Sequence, residues 1–328
     1  MNFYLLPAAI LLLDALLGEP PNAFHPVAWF GHAAAKVEKI CRERLGNGIG
    51  SGLAAWMIMT FVPTAAVFLL VRACQHFGGF SAGFAAAAGA GYFTVALRSL
   101  TDHARRIRNP LRNGDLPAAR KALSMIVSRD TSSLDESGIV RGGVESIGEN
   151  LIDAVTSALF WITFGYACAG FPGAAAGGVF LRCVNTLDAC WGYRNARYFR
   201  FGRIAARTDD WMHFIPARLT LPAIALAAPL MGGSLLQTLK TGWKHRKDHP
   251  SPNSCWGMAG FAGALRIRLG GPTRYPDGLE KYPCWGSGRE QLNWKDLHRA
   301  EWLARFSTLV FCLLLWGLYA LCRICFGL

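Results

Sequence analysis

FSTLVFCLLLWGLYALCRICF (306–326) carries one charge, Arg323, in a run otherwise built of apolar and small residues. As a helix rising 1.5 Å per residue, it is long enough to cross the ~30 Å hydrocarbon layer of a bilayer. LAAWMIMTFVPTAAVFLLV (53–71) and GGFSAGFAAAAGAGYFTVAL (78–97) repeat the pattern with no charge at all. A soluble domain has no use for three such runs, so the chain reads as all-α: a polytopic helical membrane protein with helical cytoplasmic blocks. Composition agrees, with 52% hydrophobic residues and a mean hydropathy of +0.24. The opening MNFYLLPAAILLLDALLGEPP (1–21) lacks a basic n-region, holds Asp14 within its apolar run and shows no small-x-small cleavage site. It reads as a retained first membrane segment, about 3–17, rather than a leader.

Charge orients the segments. The net charge is +13, yet 32 of the 34 Lys and Arg fall in four stretches, 36–44, 98–141, 182–218 and 240–305, with Arg72 and Arg323 outside them. Clustering of this kind follows the positive-inside rule and anionic lipid surfaces, and needs no nucleic acid. It places cytoplasmic blocks at 98–150, 182–218 and 240–305. Residues 151–181, flanked by basic sequence on both sides, must enter and return, and AGFPGAAAGG supplies the turn of a hairpin. The run 219–233 poses the same problem: either it is re-entrant around Pro222 and Pro229, or one basic stretch lies outside. The whole is expected to be one integral membrane domain. The ten cysteines are scattered, and the close pair Cys322 and Cys325 lies in the last apolar run, so neither a disulfide framework nor a zinc spacing is visible. P-loop, G-x-S-x-G and H-E-x-x-H patterns are absent.

The charges that ought to be costly mark the chemistry. In VESIGENLIDAV (144–155), Glu145, Glu149 and Asp153 recur every four residues and share one helix face at the border of an apolar segment. Three carboxylates beside Asn150 suit a hard cation such as Mg²⁺, which prefers oxygen ligands and keeps waters and substrate phosphates. The competing reading is salt bridging to neighbouring arginines. Across the expected hairpin, Asn185 and Asp188 stand three apart, followed by Tyr193 and by Arg194, Arg197, Arg200 and Arg203 at every third position. Guanidinium groups so arranged suit phosphates or carboxylates, and membrane-surface anchoring suits them as well. Asp209, Asp210 and Arg218 precede the next apolar run. His25 and Glu19 sit in the proline-fixed turn GEPPNAFHPVAWFG (18–31), Arg129 and Asp130 in SRDTSSLDESG (128–138), and Ser251 and Asn253 in the loop DHPSPNSCWGMAGFAGALRIRLGG (248–271). A helix cap at Thr131 or Ser132 accounts for the second of these. A hairpin at 151–181 would bring the two acidic clusters to one membrane edge.

GEPPNAFHPV, ALRSLTDHA, SRDTSSLDE, VESIGENLIDAV, NTLDACWGYRNARY, DDWMHFIPARLT, HPSPNS and AGALRIRLGGP, in that order over residues 18–272, resemble the CbiB/CobD family, the adenosylcobinamide-phosphate synthases of cobalamin biosynthesis. The resemblance implies a ligase that forms an amide bond between a propionate of adenosylcobyric acid and aminopropanol or its O-phosphate. It implies ATP and Mg²⁺ as cofactors, a cell (inner) membrane location with a cytoplasmic site, and other corrinoid-pathway enzymes as partners. On that footing Glu145, Glu149 and Asp188 are the catalytic candidates, with Asp153 joining them as metal ligands. Asn150, Asn185, Tyr193, Arg194, Arg218, Ser251, Asn253 and His25 are the substrate-binding candidates. A second branch resembles AmpE, a membrane signalling protein; it and a small-solute transporter are the alternatives. One loop departs from the family pattern SPN-x-G-[YW]-P-E-A: Cys255 stands for its Gly, Gly257 for its Pro and Met258 for its Glu. Glu19 replaces a usual Asp.

Overall fold

A computed structural model describes residues 2–275 and 278–326. The fold is helical, and among the described residues four stretches are long and apolar enough to cross a membrane: Ile49–Arg112, Glu136–Trp191, Arg203–Met231 and Trp294–Cys325. It is an all-α, polytopic membrane-type protein. The chain divides into two compact units, one of Met1–Ala96, Ser157–His213 and Leu315–Leu328, the other of Leu97–Thr156 and Phe214–Leu314.

In the first unit, α1 (Asn2–Leu17) and α2 (Pro26–Leu45) pack on α3 (Ile49–Tyr92) and α7 (Ser157–Trp191). Both long helices fold back on themselves. The chain leaves helical geometry at Gly79 in α3 (φ 67°) and at Ala169–Gly170 in α7 (Gly170 φ 62°). Glycine has no Cβ to oppose a positive φ, so it is where an apolar helix turns back most cheaply. The two arms of α7 then press backbone to backbone: a Cβ on Gly177 would stand 2.2 Å from the Trp161 carbonyl oxygen, and one on Gly165 would stand 2.1 Å from that of Gly173. A core of Trp56, Met59, Val184, Leu187, Trp191 and Phe201 fills the space beside α2. The stripe Arg194 to Arg203 lies outside any regular helix until Arg203, because α7 ends at Trp191 and turns occupy most of the segment up to α8 (Arg203–Ala227). Arg197 is committed elsewhere, paired at 2.9 Å with the buried Glu38, which also holds Arg42 at 2.9 Å.

The second unit is built on α6 (Glu136–Leu151). Around it lie α4 (Leu97–Arg112), α5 (Leu116–Ser124) and α10 (Ser254–Leu265), with α9 (Leu235–His245) against α10 and the first part of α11 (Trp294–Phe326) completing the unit. Asp135, rather than Thr131 or Ser132, caps α6, its carboxylate accepting from Gly138 N at 2.8 Å. Helix α8 runs through Pro222 to Ala227, and a 3₁₀ turn (Ala228–Met231) carries the chain to left-handed Gly232. Residues Leu269–Tyr275 (β1) and Gly278–Trp285 (β2) form an antiparallel ribbon with an irregularity between Gly270 and Pro272. This ribbon is the one regular β element among the described residues and was not expected from an all-α reading. Its strands carry Gly and Pro and show no clean apolar alternation, so periodicity does not reveal them.

Helices α6 and α10 touch through Gly148 and Gly257, where a Cβ on Gly257 would stand 2.0 Å from the Gly148 carbonyl oxygen. Nothing in that contact can yield, because both partners are backbone. Gly257→Ala is therefore expected to destabilise the protein by about 1–3 kcal/mol. Thermal unfolding in detergent checks this against Gly89→Ala, whose added Cβ meets nothing within 4 Å; equal melting of the two variants would refute the close packing.

Candidate functional site

Helix α6 presents Glu145 and Glu149 one turn apart to a cavity of about 130 Å³ in the second unit. Arg129, His249, Met258, Tyr282 and Gly270 also line it. Glu145 is buried and both of its oxygens are engaged: Oε1 accepts from Gly270 N at 2.7 Å, and Oε2 pairs with the Arg129 guanidinium at 2.6 Å. Salt bridging, one of the two readings of the acidic stripe, thus describes Glu145. Arg129 also has a buried Nη1 without a hydrogen-bond partner. Such a donor is ordinarily satisfied, so it suits an anionic or carbonyl group brought by a ligand.

Glu149 is held differently. Its Oε1 accepts from Ser254 Oγ at 2.8 Å, at the start of α10. Opposite it, His249 Nδ1 accepts from Ser251 N at 3.2 Å, which leaves the proton of the neutral ring on Nε2. The ring stacks on Tyr282 with centroids 5.4 Å apart. Burial, the largest influence, holds the His249 imidazole below its usual range, opposed by the Glu149, Glu145 and Glu280 carboxylates and assisted by Arg129. The cavity therefore offers a carboxylate acceptor at Glu149, an imidazole N–H at His249 and a guanidinium at Arg129.

The other candidates divide between the units. In the second, Arg218 Nη1 donates to Asn253 Oδ1 at 3.3 Å and to Phe214 O at 2.6 Å, its guanidinium lying over the Phe214 and Trp256 rings. Asn253 N in turn donates to Ser251 Oγ at 3.3 Å, so Arg218, Ser251 and Asn253 come together. Asn150 turns inward on its own helix, donating to Ser146 O at 2.9 Å and Ser146 Oγ at 3.2 Å. Asp153 rides on a π-turn (Ile152–Thr156), where side-chain directions shift relative to α6, so the stripe does not continue as a regular row.

In the first unit, Asn185 Nδ2 donates to Asp209 Oδ1 at 3.3 Å and Asn185 Oδ1 accepts from Arg182 Nη1 at 3.3 Å. Asp209 also meets His213 Nε2 at 3.2 Å, and His213 Nδ1 meets Ser157 Oγ at 2.7 Å. The Ser-His-Asp order resembles a nucleophilic triad, but Ser157 is wholly buried and beyond reach of a substrate. Asp188 lies one helical turn after Asn185 near the end of α7, where Gly192 N donates to its carbonyl at 2.6 Å. Tyr193 and Arg194 are exposed just beyond. His25 caps α2, its Nδ1 accepting from Val27 N at 3.2 Å, and it lines a cavity of about 90 Å³ with Asp14, Glu19 and Arg182.

Among the described residues no three His, Cys, Asp or Glu converge as a metal site. A cation at Glu145 and Glu149 would have at most those two carboxylates, one already paired, and would rely on water and substrate phosphate as Mg²⁺ commonly does.

Sequence reasoning passed over His249 and Ser254, although HPSPNS offered the first as a titratable group fixed by the proline that follows it. Met258 lines the cavity at the position where the resembled family carries Glu, so the departure falls on the site itself.

The family model described as CobD/Cbib protein matches residues 7–304. The chain belongs to the CobD/Cbib family. It is 39% identical over 294 residues to the cobalamin biosynthesis protein CobD of Mycobacterium tuberculosis, covering 90% of this chain and 88% of that one. The protein of the same name from Stutzerimonas stutzeri is 41% identical over 289 residues, covering 88% and 89%. That from Rhodobacter capsulatus is 38% identical over 295 residues, covering 88% of each. No solved structure matches the chain.

Two outcomes follow from the cavity. Arg129→Met leaves the Glu145 charge buried without its ion-pair partner and is expected to cost about 3–5 kcal/mol, while Arg129→Met with Glu145→Met costs less than the sum of the single changes. Chemical or thermal unfolding of the four proteins of this cycle measures the coupling. For His249, a folded-state pKa held below that of the unfolded chain means that the unfolded state takes up a proton first as pH falls. Stability present above the unfolded value of about 6.5 is therefore lost on acidification through that value. Melting curves at pH 7 and pH 5 should show a smaller acid loss for His249→Asn than for wild type.

Proposed function

We propose that this protein acts in cobalamin biosynthesis as an ATP-dependent ligase. It would join aminopropanol or its O-phosphate to a propionate of adenosylcobyric acid, giving adenosylcobinamide or its phosphate. Membership of the CobD/Cbib family and relatives named for cobalamin biosynthesis support the pathway. The observation that carries the chemistry is the cavity in which Glu149 faces Arg129 and His249.

Amide formation from a carboxylate needs an activated acyl group. Phosphoryl transfer from ATP to the propionate oxygen provides it; the amine nitrogen then forms the C–N bond, the C–O bond to phosphate breaks, and phosphate leaves. The attacking nitrogen must lose a proton, and Glu149, held by Ser254 Oγ, is the acceptor we assign. The His249 Nε2–H and the Arg129 guanidinium are placed to stabilise negative charge on the acyl and phosphoryl oxygens. Glu145 positions Arg129 rather than reacting. Bound Mg²⁺ would neutralise phosphate charge, held chiefly by water and substrate phosphate, since Glu145 is paired with Arg129 and Glu149 is the proton acceptor. Arg218 with Ser251 and Asn253 offers a second polar cluster for the substrate's carboxylate or phosphate. Asn185, Asp188, Tyr193, Arg194 and His25 of the first unit are assigned to corrinoid contact, Tyr193 and Arg194 on the strength of their exposure. The basic loops support a cell-membrane location with this chemistry on the cytoplasmic side.

Purified protein supplied with adenosylcobyric acid, ATP, Mg²⁺ and either amine tests the reading by chromatography of the corrinoid product. Glu149→Gln is expected to lower turnover by about 10²–10⁴-fold while the protein still folds. Product formation by Glu149→Gln at the wild-type rate sinks the assignment.

A further inference from the structure

Helix α9 (Leu235–His245) has its faces reversed. Thr238, Thr241 and Gly242 point inward and are buried, packed so closely on α10 that a Cβ on Gly263 would stand 2.9 Å from the Thr238 Cα. The large apolar side chains point out: Leu236 is 66% exposed, and Trp243, on the same face two turns later, is 60% exposed. A helix on a water-facing surface buries its apolar stripe and shows its polar one. Leu226 and Leu230, shortly before α9 in the chain, are exposed as well.

The charges beside this face have one sign. From Phe214 to Lys247 the sequence contains no Asp or Glu, while Arg218, Lys240, Lys244, Arg246 and Lys247 fall within it. Lys240 and Lys244 are exposed on the side of α9 that carries Leu236 and Trp243, and among the described residues neither is paired with a carboxylate. Asp248, the first acid beyond the run, is taken by His245 at 2.7 Å. The Trp243 ring is braced from both directions: the Arg246 guanidinium lies 4.3 Å from its centroid, and Trp256 of α10 meets it edge to face at 5.7 Å. Connectivity fixes where the helix sits. The apolar stretch Arg203–Met231 ends three residues earlier, and Gly232, Gly233 and Ser234 allow at most about 14 Å between the Cα atoms of Met231 and Leu235.

We infer that α9 is an interfacial anchor, its Leu236–Trp243 face seated among the headgroups of a bilayer and its lysines held by anionic lipid. Leucine and tryptophan outward, with lysines at their border, is the pattern of a helix lying in the plane of a membrane surface. The lysine stems can follow the apolar face while their ammonium groups reach the lipid phosphates. A second copy of this chain is the poorer occupant, because a two-fold pairing would set one acid-free face against another. Helix α9 runs directly into the loop that carries His249 to the carboxylate cavity and Asn253 to Arg218. Anchoring α9 therefore ties one end of that loop to the membrane surface. The inference does not rest on the proposed ligase reading.

The test places the full chain in nanodiscs of phosphatidylcholine, with or without phosphatidylglycerol, using lipids brominated either near the headgroup or deep in the acyl chain. Fluorescence of Trp243 is read as the difference between wild type and Trp243→Phe, a change at an exposed ring. Shallow bromines are expected to quench this difference more than deep ones. Hydrogen exchange across residues 235–247 is expected to slow when phosphatidylglycerol is added. Lys240→Gln with Lys244→Gln should reverse that slowing by about fivefold for each charge removed. Both lysines are exposed, and an unchanged melting temperature in detergent checks that the double variant folds. Trp243 unquenched from either depth overturns the inference, as does stronger quenching by deep bromines, which makes the segment part of a span. Wild-type exchange indifferent to phosphatidylglycerol overturns the anionic-lipid assignment. Slowing without quenching, growing with the number of copies per disc, gives the face to a second copy and overturns the anchor. No arm reads amide formation, so failure of the anchor and failure of the ligase reading stay distinct.

Discussion

The buried carboxylate of Glu145 is the constraint on which the second unit depends. One oxygen takes the backbone N–H of Gly270 and the other the guanidinium of Arg129, so a single side chain joins α6, the strand β1 and the loop before α6. A carboxylate removed from water is costly unless it is paired and hydrogen-bonded, and here both conditions are met by elements distant in sequence. The same arrangement sets the site. It leaves Arg129 facing the cavity and places Glu149, one turn further along α6, opposite His249.

The two carboxylates of α6 are therefore held differently. Glu145 is saturated by its partners, Gly270 N and Arg129. Glu149 meets the hydroxyl of Ser254 and borders the cavity. Their spacing alone could not separate these roles, because i and i+4 residues share a face whatever lies across from them. What lies across is α10, brought against α6 by the Gly148–Gly257 contact, and with it Ser254 and Met258. Gly257 and Met258, two positions at which the chain departs from the resembled family pattern, fall on that contact and on the cavity wall. The two departures belong to one helix and one cavity wall, and the α6–α10 approach seen here is one that a side chain at 257 would obstruct.

Much of this was legible beforehand. Uncharged runs of membrane length identify a polytopic helical protein because exposed backbone cannot be left unsatisfied in hydrocarbon. The turns at Gly79 and Gly170 fall in Gly-rich sequence for the same reason that glycine tolerates positive φ. Legibility failed where chemistry depends on partners remote in sequence. The arginine repeat at 194–203 looked like one binding surface, yet Arg197 is drawn to Glu38, more than a hundred residues earlier. His249 and Ser254 looked like ordinary loop residues until the loop was folded over Glu149. The β-ribbon carried no alternation to announce it.

Sequence by itself determined the membrane class, the helical framework, the family and the acidic helix at the centre of the candidate chemistry, since hydropathy, glycine and charge act locally along the chain. Tertiary structure alone decided which carboxylate is tied down and which borders a cavity, where the arginines find partners, and which imidazole joins them. Those outcomes follow from desolvation and hydrogen-bond geometry between segments that meet only after folding, and no spacing along the chain encodes them.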